Sequence, residues 1–399
     1  MLIDKGVTMT DKSVIIWGAG RIGRGFMADL FNTAAYRLIL IDQSAELVTQ
    51  LRQAGQFTVV RAANAAERFD QVISGYTALL TSQTDEIAAA VLTAGYLVVA
   101  VFPQDFPAVV RQLIPGLARR QAERPDVPLD IILCTNLSHA AGQFQAHLQQ
   151  LLPPALQSYA ASRLGLVESL VIRMVAEPPA ELKQRQPLLV WTNGYAELPV
   201  DRRGFKGEIP SLPGLRLVND MRAEEMRKLY TYNMGHAVLA YHGARRGHTL
   251  AVECLHDRQV RAEVEGALAE VSQALQLEYG FGTDEMVRWN ENVLRQTDNP
   301  TLGDTVARHG ADPRRKLKRS DRLVGPLLLT HKHGLPAAHL IRAIAAALTY
   351  KNPADAGAVY VQQRLREGEL AAVVRELCEL TSAEEPLTEA IVEAYHHLV

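Results

Sequence analysis

A lysine, an asparagine and a histidine stand close together in one largely apolar segment, Lys228-Leu-Tyr-Thr-Tyr-Asn-Met-Gly-His236. The longer stretch Asn219–His236 begins with a capping residue followed by acidic residues, which predicts a helix. At about 100° per residue in an α-helix, His236 lies about 80° and Asn233 about 140° from Lys228 around the helix axis. The spacing therefore places three polar side chains in one sector of the predicted helix.

These residue types suit the oxidation of an alcohol to a ketone. Burial removes solvation from a charged amine, so the pKa of Lys228 is expected to fall from about 10.4 toward the range of a useful base. Lys228 would then take the hydroxyl proton as hydride leaves carbon, while Asn233 holds the oxygen and His236 binds a neighbouring hydroxyl. Singly, such a lysine more often reaches water and such a histidine more often belongs to a core. Their grouping favours catalysis.

A glycine-rich motif, Gly18-Ala19-Gly20-Arg21-Ile22-Gly23, directly follows the β-rich run Val14–Trp17 and opens a helical pattern over Ile22–Leu30. In such motifs the first glycine makes a tight turn, the second admits a pyrophosphate and the third lets helix pack on strand. Asp42 ends the next predicted strand, where a carboxylate accepts a ribose 2′-hydroxyl and repels a 2′-phosphate. The motif predicts that NAD is the cofactor and is preferred over NADP. The alternative is a plain strand–helix turn with an exposed aspartate. The predicted cofactor residues are Gly18, Ala19, Gly20, Arg21, Ile22, Gly23 and Asp42.

Two further predicted strands end in residues that would face the same ligands. Val101 and Phe102 close one of them, and Asn136 follows the strand Ile131–Cys134. Ligands of an open α/β sheet bind outside the carboxyl ends of its strands, so we expect Val101 and Phe102 beside the cofactor. Asn136 would donate its amide to the substrate oxygen. An asparagine that only caps the following helix stays open as the alternative.

The elements that position these groups indicate an α/β fold, a Rossmann-type domain followed by a mainly helical one. In the first half, β-rich runs alternate with amphipathic stretches, which predicts a mostly parallel sheet covered by helices. The β-branched segments Leu164–Val175 and Leu188–Thr192 suggest that this sheet continues to about Val200. After the connector Pro199–Pro213, apolar residues recur at spacings of three and four and predict helices.

We therefore expect an N-terminal tail over residues 1–12, a dinucleotide-binding domain over residues 13–203 and a helical substrate-binding and catalytic domain over residues 204–399.

Composition excludes several classes of function. Lys and Arg total 42 against 44 Asp and Glu in 399 residues, so the chain lacks the basic excess of a nucleic-acid-binding protein. The three cysteines Cys134, Cys254 and Cys378 are too widely spaced for a disulfide framework or a metal cluster, which favours a reducing, cytoplasmic compartment. No apolar run approaches the roughly 18 residues that span a bilayer, and the start lacks a secretory signal, so no membrane partner is expected.

The chain resembles the polyol-specific long-chain dehydrogenase family from about Val14 to its C-terminus. The pattern Lys-x4-Asn-x2-His is the most specific part of the resemblance. The matching motifs are Gly18-Ala-Gly-Arg-Ile-Gly-Arg-Gly-Phe26, Phe205-Lys-Gly, Ile209-Pro, Pro213-Gly, Lys228 to His236, Arg315-Lys-Leu317, Asp321-Arg-Leu323 and Gly334-Leu-Pro336.

The resemblance implies metal-free, NAD-linked interconversion of mannitol 1-phosphate and fructose 6-phosphate. It makes Lys228 the base, Asn136 and Asn233 the oxygen-binding pair and His236 a substrate contact. It also implies a monomer, or at most a weak dimer. The partner is then a small polyol or polyol phosphate.

Two positions depart from the family pattern. Thr135 stands where the family usually has glutamate, and Ile172 stands where it usually has aspartate. The departures leave other functions open: a dehydrogenase for a non-phosphorylated hexitol, a hexuronate reductase, or a nucleotide-binding sensor without turnover.

The phosphate of a hexitol phosphate needs cations, and Arg314-Arg-Lys-Leu-Lys-Arg319 with Arg322 is the densest basic cluster in the chain. From it, Arg315, Lys316 and Arg322 are the expected phosphate contacts, with a solvated surface run as the alternative. In His331-Lys-His333, two imidazoles without a nearby acid are insufficient for a metal, so no metal site is expected. A zinc-dependent alcohol dehydrogenase is the weaker alternative.

Overall fold

The computed structural model describes residues 12–64, 66–135 and 139–399. Contacts divide the chain into two compact units, one that extends to Glu224 and one formed by Glu225–Val399. We describe each unit by itself.

The first unit carries the β-structure. Among its described residues the strands are β1 (Ser13–Trp17), β2 (Arg37–Asp42), β3 (Gln56–Ala62), β4 (Arg68–Ser74), β5 (Thr77–Leu80), β6 (Tyr96–Val99), β7 (Leu129–Leu133), β8 (Leu164–Glu168), β9 (Val175–Ala176), β10 (Val190–Thr192), β11 (Leu198–Asp201) and β12 (Leu215–Val218). Six of them form a parallel sheet in the order β5-β2-β1-β6-β7-β8. Taken in chain order this is the 3-2-1-4-5-6 arrangement of a dinucleotide-binding fold. The predicted Rossmann-type sheet is confirmed.

Helices cover this sheet on both faces, which is why β1 and β7 are buried along their whole length. A π-helical segment, Gly23–Ala28, leads from the glycine turn into the first α-helix. The helices of the first unit are α1 (Asp29–Thr33), α2 (Ala45–Ala54), α3 (Thr84–Thr93), α4 (Phe106–Glu123), α5 (Ala140–Leu151), α6 (Pro154–Arg163) and α7 (Ala180–Arg185).

The β-branched segments extend the parallel sheet only in part. Leu164–Glu168 forms its last strand, β8, as predicted, whereas β10 pairs in parallel with β3 in a second sheet of order β4-β3-β10-β9. An apolar, β-branched run indicates that a strand forms but carries no information about its partner. The connector after Pro199 also remains within the first unit, because β11 pairs with β12. The contact division therefore lies further along the chain than the predicted boundary at residue 203, which stays a prediction.

The second unit is helical, as predicted from its period. In the longest helix, Val260, Val264, Leu268, Val271 and Leu275 are all buried, so the spacing of three and four forms the core-facing stripe. From the end of the first unit onward the helices are α8 (Met221–Lys228), α9 (Met234–Arg245), α10 (Ala251–His256), α11 (Arg258–Tyr279), α12 (Thr283–Thr297), α13 (Val306–Gly310), α14 (Pro313–Lys316), α15 (Val324–Lys332), α16 (Ala338–Thr349), α17 (Ala356–Glu367), α18 (Leu370–Cys378) and α19 (Glu385–Leu398).

A buried ionic network holds the start of α1 against the second sheet. The Asp29 carboxylate, with a side chain only 1% exposed, accepts from Arg173 at 2.5 Å and from Arg61 at 2.9 Å. Arg173 also donates to the backbone oxygens of Gly25 and Tyr195. The network thereby fixes the helix that follows the glycine turn, and removal of either charge would leave its partner buried and unpaired.

We expect Asp29→Ala to lower the free energy of unfolding by about 3–5 kcal/mol, because Arg173 would keep its charge in a buried position without the carboxylate. Urea denaturation followed by circular dichroism measures the change. The matched control is Arg68→Ala, which breaks an exposed pair with Asp70 and should cost at most about 1 kcal/mol. Equal losses in the two variants would contradict a structural role for the buried network.

Candidate active site

A cleft of about 210 Å³ lies where β1, β2 and β6 end. Five of the predicted cofactor residues line it, namely Gly18, Gly20, Asp42, Val101 and Phe102. The other four, Ala19, Arg21, Ile22 and Gly23, form the turn and the first helical residues beside it. The structure therefore groups these nine residues at the carboxyl edge of the sheet, where dinucleotides bind in this architecture.

The three glycines of the motif have different surroundings. An added Cβ at Gly18, whose φ is 95°, would lie 2.5 Å from the Ala100 backbone oxygen, and one at Gly23 would lie 1.9 Å from the Gly18 backbone oxygen. At Gly20 an added Cβ would meet nothing within 4 Å. The first and third glycines are thus required by the packing of the protein itself. The second borders the open space that a pyrophosphate would fill, so the residues present fit a dinucleotide.

Arg24 is a residue of this site that sequence reasoning missed. Its Nε donates to the Ala19 backbone oxygen at 2.8 Å, and a terminal nitrogen donates to the Leu188 backbone oxygen at 2.6 Å. Burial lowers the pKa of Arg24 to about 10, while the carboxylate of Asp42 opposes the shift. A buried cation thereby holds the glycine turn in place. No sequence pattern signals it, because an arginine in a first helical turn is ordinarily solvated.

The cleft also carries the negative charge that the sequence predicted. Two carboxylates, those of Asp42 and Asp105, line it, and both would repel a 2′-phosphate. One oxygen of Asp42 accepts from the Ser44 backbone nitrogen at 2.9 Å, which orients the carboxylate at the end of β2. The Phe102 side chain is 72% exposed at the cleft, so a planar ring has an apolar face to contact there.

The substrate-facing end of the same sheet is only partly described. Asn136 lies outside the described residues, so its predicted role stays a prediction. Ile172 is 5% exposed, and the neighbouring Arg173 is committed to the buried network. Glu168, which the sequence analysis did not single out, places a carboxylate at the end of β8, where it accepts from the Ala141 backbone nitrogen at 3.0 Å.

In the second unit, Lys228 ends α8 and a π-helical segment, Leu229–Asn233, follows it. A π-helix bonds residue i to residue i+5, so residues five apart come to the same side of the helix. Asn233, five positions after Lys228, therefore lies closer to the lysine around the axis than the α-helical angle had predicted. π-Helical turns occur often at functional sites.

Contacts between Arg227 and two aromatic rings hold this segment in place. The guanidinium of Arg227 lies 3.9 Å from the ring centre of Trp289 and 4.4 Å from that of Phe281, and it pairs with Glu285. The Trp289 indole nitrogen donates to the Thr231 hydroxyl at 2.8 Å, and that hydroxyl donates to the Arg227 backbone oxygen at 2.6 Å. Cation–π contacts and hydrogen bonds thus fix the backbone on both sides of Lys228.

Burial disfavours the charged forms of both Lys228 and His236. Burial, followed by the like charge of Arg322, lowers the pKa of Lys228 to about 8, and Glu225 opposes the shift. Burial also lowers the pKa of His236 well below its ordinary value, with smaller contributions from cations that include Lys228. Both residues still keep part of their surface accessible, as a substrate contact requires.

The predicted phosphate residues differ in their surroundings. Arg315 forms ion pairs with Asp312 and with Asp321, and the Arg322 guanidinium donates to Asp321 at 2.8 Å. Lys316 is 3% exposed and donates to the backbone oxygens of its own loop, one of them that of His309 at 2.6 Å.

Burial and the charge of Arg322 lower the pKa of Lys316 to about 7. Arg322 is therefore the cation that acts on Lys228, His236 and Lys316 together.

Two further arginines of the basic cluster contact side chains of other helical segments. Arg314 stacks on Tyr360 at 3.9 Å, and Arg319 pairs with Glu384. In the His331–His333 segment, Lys332 and His333 both contact Glu278.

Within residues 12–64, 66–135 and 139–399, no group of three His, Cys, Asp or Glu side chains is arranged to hold a metal ion. Over the same residues, no helix is both long and apolar enough to cross a bilayer.

Family models match nearly the whole chain. The model described as mannitol dehydrogenase Rossmann domain matches residues 12–214, and the model described as mannitol dehydrogenase C-terminal domain matches residues 220–398.

Solved structures show the same fold at low sequence identity. One is a D-sorbitol dehydrogenase in substrate-free form, with a TM-score of 0.81 and 13% identity over 96% of this chain and 92% of that chain. Another is Pseudomonas fluorescens mannitol 2-dehydrogenase in a ternary complex with NAD and D-mannitol, with a TM-score of 0.70 and 16% identity over 98% of this chain and 91% of that chain.

The glycine geometry gives a direct test of the cleft. We expect Gly20→Ala to fold with unchanged thermal stability but to bind NADH at least about tenfold more weakly, because the new methyl group enters the space for the pyrophosphate. Fluorescence titration with NADH and a thermal melt measure the two quantities. In contrast, Gly23→Ala should lose stability, since its methyl group meets the protein. Unchanged NADH affinity in Gly20→Ala would contradict the site.

Proposed function

The chain belongs to the mannitol dehydrogenase family of NAD-dependent polyol oxidoreductases, and from this premise we propose that it interconverts a hexitol phosphate and a ketose phosphate, mannitol 1-phosphate and fructose 6-phosphate. The family match confirms the resemblance that the spacing of Lys228, Asn233 and His236 indicated. The observation that carries the proposal is the placement of Lys228, Asn233 and His236 on one partly π-helical stretch, where burial and Arg322 lower the pKa of Lys228 to about 8.

Lys228 is the proposed general base. Near pH 8 an amine with this pKa is uncharged in about half of the molecules, so it can accept the hydroxyl proton at Nζ during oxidation and return it during reduction. The residues of the cleft in the first unit would hold NAD, which would supply the hydride acceptor for the oxidation. The solved mannitol 2-dehydrogenase complex contains NAD, which supports this cofactor. No step of the proposal requires a metal ion.

Amide and imidazole groups orient the substrate. Asn233 follows Lys228 through the π-helical segment, so its amide can donate to the oxygen that carries developing negative charge. We propose Asn136 as the second donor, from the first unit. His236 is uncharged and can bind a neighbouring hydroxyl of the polyol chain through a ring nitrogen. The two asparagines and the histidine orient the substrate, and Lys228 transfers the proton.

Arg322 is the cation we propose for the phosphate. Its side chain is 17% exposed, and it makes a single-oxygen contact with Asp321, while a guanidinium can offer further N–H groups to a phosphate. Its charge also acts on both Lys228 and His236. An anionic group near Arg322 would therefore lie close to the reacting end of the site.

One observation favours a second candidate, oxidation of a non-phosphorylated hexitol. Lys316 already donates to two backbone oxygens. Arg315 already pairs with two carboxylates. If both remain engaged, a phosphate would meet Arg322 with little help from the rest of the cluster.

A substrate panel separates these candidates. With NAD, we expect formation of NADH at 340 nm with mannitol 1-phosphate and at least about tenfold lower kcat/KM with mannitol, because a charge-assisted hydrogen bond to phosphate contributes about 1.5–3 kcal/mol. When each enzyme is measured on the plateau of its own pH profile, Arg322→Ala should reduce kcat/KM for the phosphate substrate more than for mannitol. Lys228→Ala should reduce turnover of either substrate by about 10²–10⁴ while NADH still binds. Activity on mannitol but not on its phosphate would reject the phosphate proposal, and unchanged turnover in Lys228→Ala would reject the base.

The pH dependence tests the electrostatics of the base. For polyol oxidation, kcat/KM should rise with pH and level off above about 8, because the amine of Lys228 must be uncharged to accept a proton. Arg322→Ala removes a like charge and should move the rise to higher pH, whereas Glu225→Gln removes an opposite charge and should move it to lower pH. Arg322→Lys is the charge-conserving control. Shifts of the same sign in both variants would contradict this assignment.

A further inference from the structure

Two imidazole rings lie face to face beside the proposed base. The ring centres of His236 and His309 are 4.3 Å apart, and the ring planes differ by 31°. His236 is on α9, and His309 is on the short helix α13 and only 8% exposed. The sequence analysis did not single out His309, since nothing in its local pattern distinguishes it from a core residue.

A carboxylate lies near the second ring on another side. The Nε2 atom of His309 lies 3.4 Å from an oxygen of Asp304 but does not form a hydrogen bond with it, and Arg308 also pairs with Asp304. Burial alone would raise the pKa of Asp304, but the nearby His309 and Arg308 outweigh it and lower the pKa. An ionised Asp304 therefore lies beside the His309 ring.

The stacking geometry does not suit metal binding. Imidazole lone pairs lie in the plane of the ring, so two rings that present their faces to each other do not direct their nitrogens at one point. Within residues 12–64, 66–135 and 139–399, no three His, Cys, Asp or Glu side chains form a metal-binding group here or elsewhere. The pair must therefore act through packing and charge.

We propose that His309 is a positioning residue for the reaction: its buried ring, packed against His236, fixes the His236 ring in the orientation in which it contacts a substrate hydroxyl. The inference rests on the proposed function, because it assigns His236 to the substrate. An uncharged imidazole offers one N–H donor and one acceptor nitrogen, so it can match a hydroxyl in either direction. A protonated ring would offer donors only.

The groups around His236 support this role. After burial, the cause next in size that lowers the pKa of His236 is His309, followed by Arg308, Arg322 and Lys228. Each of these is a cation or an ionisable ring. On its own helical stretch His236 also faces the ring of Tyr232, at 6.5 Å between centres. His309 is the ionisable neighbour whose ring is closer to His236, and it is therefore the one to change.

The first measurement follows the His236 ring directly. In ¹⁵N-histidine NMR, with the signal assigned from its loss in His236→Asn, we expect wild-type His236 to stay uncharged well below pH 6.5. His309→Phe keeps an aromatic ring but removes the ionisable one, so the pKa of His236 should rise toward 6.5. His309→Gln is the second variant and should act in the same direction. An unchanged pKa in both variants overturns the inference.

The second measurement tests the substrate role. Ketose reduction between pH 5.5 and 7.5 is the suitable direction, because Lys228 is then in its protonated, proton-donating form. As pH falls through this range, KM for the ketose should rise about tenfold in His309→Phe and stay level in the wild type, since one hydrogen bond to His236 is lost. Val306→Ala, a buried change on the same helix, is the control for packing.

The outcomes separate the two proposals. A rise in KM at low pH in Val306→Ala equal to that in His309→Phe overturns the positioning role, because loss of packing would then explain it. A wild-type protein without polyol dehydrogenase activity, in which the His236 signal still shifts as expected in the variants, overturns the proposed function and the substrate role together. The ring pairing would stand in that case.

Discussion

The amine of Lys228 is held out of water, and the proposed chemistry depends on this single desolvation. In bulk solvent a lysine amine has a pKa of about 10.4, so at pH 8 far fewer molecules would hold it uncharged and able to accept a proton. Burial is costly for a charged group, so the fold must fix the lysine from both sides. Arg227 between two aromatic rings does this on the helix, and Arg322 adds a like charge that further disfavours the ammonium form. The contacts that keep Lys228 buried therefore also make its amine a better base near neutral pH.

In the second unit, Lys316 stabilises the backbone of the segment that carries His309. Lys316 folds back onto the backbone oxygens of its own loop, which gives a buried ammonium partners without a carboxylate. The loop that it closes carries His309, so the lysine contributes to the placement of the imidazole pair. In the first unit, Asp29 and Arg173 play the corresponding structural part near the glycine turn. In both units a buried polar contact holds a segment that borders a ligand site.

Sequence patterns predicted the parallel sheet, the glycine turn and the helical second unit, because periodicity and turn chemistry are local properties. They did not predict that β10 would pair with β3 in a separate sheet, since strand pairing depends on tertiary contacts. Burial of Arg24 and the contact between His236 and His309 were missed for the same reason. The grouping of Lys228, Asn233 and His236 could be predicted because these residues are close in sequence and share one helical stretch.

The π-helical segment Leu229–Asn233 also has a consequence for how this chain can change. A π-helical turn holds about one residue more than an α-helical turn, so the extra residue is taken up within the turn and the helix after it keeps its direction around the axis. Deletion of one residue within Leu229–Asn233 that restores α-helical bonding would therefore leave His236 on the same side as Lys228. In this segment the chain can change in length by one residue while the two functional side chains keep their places.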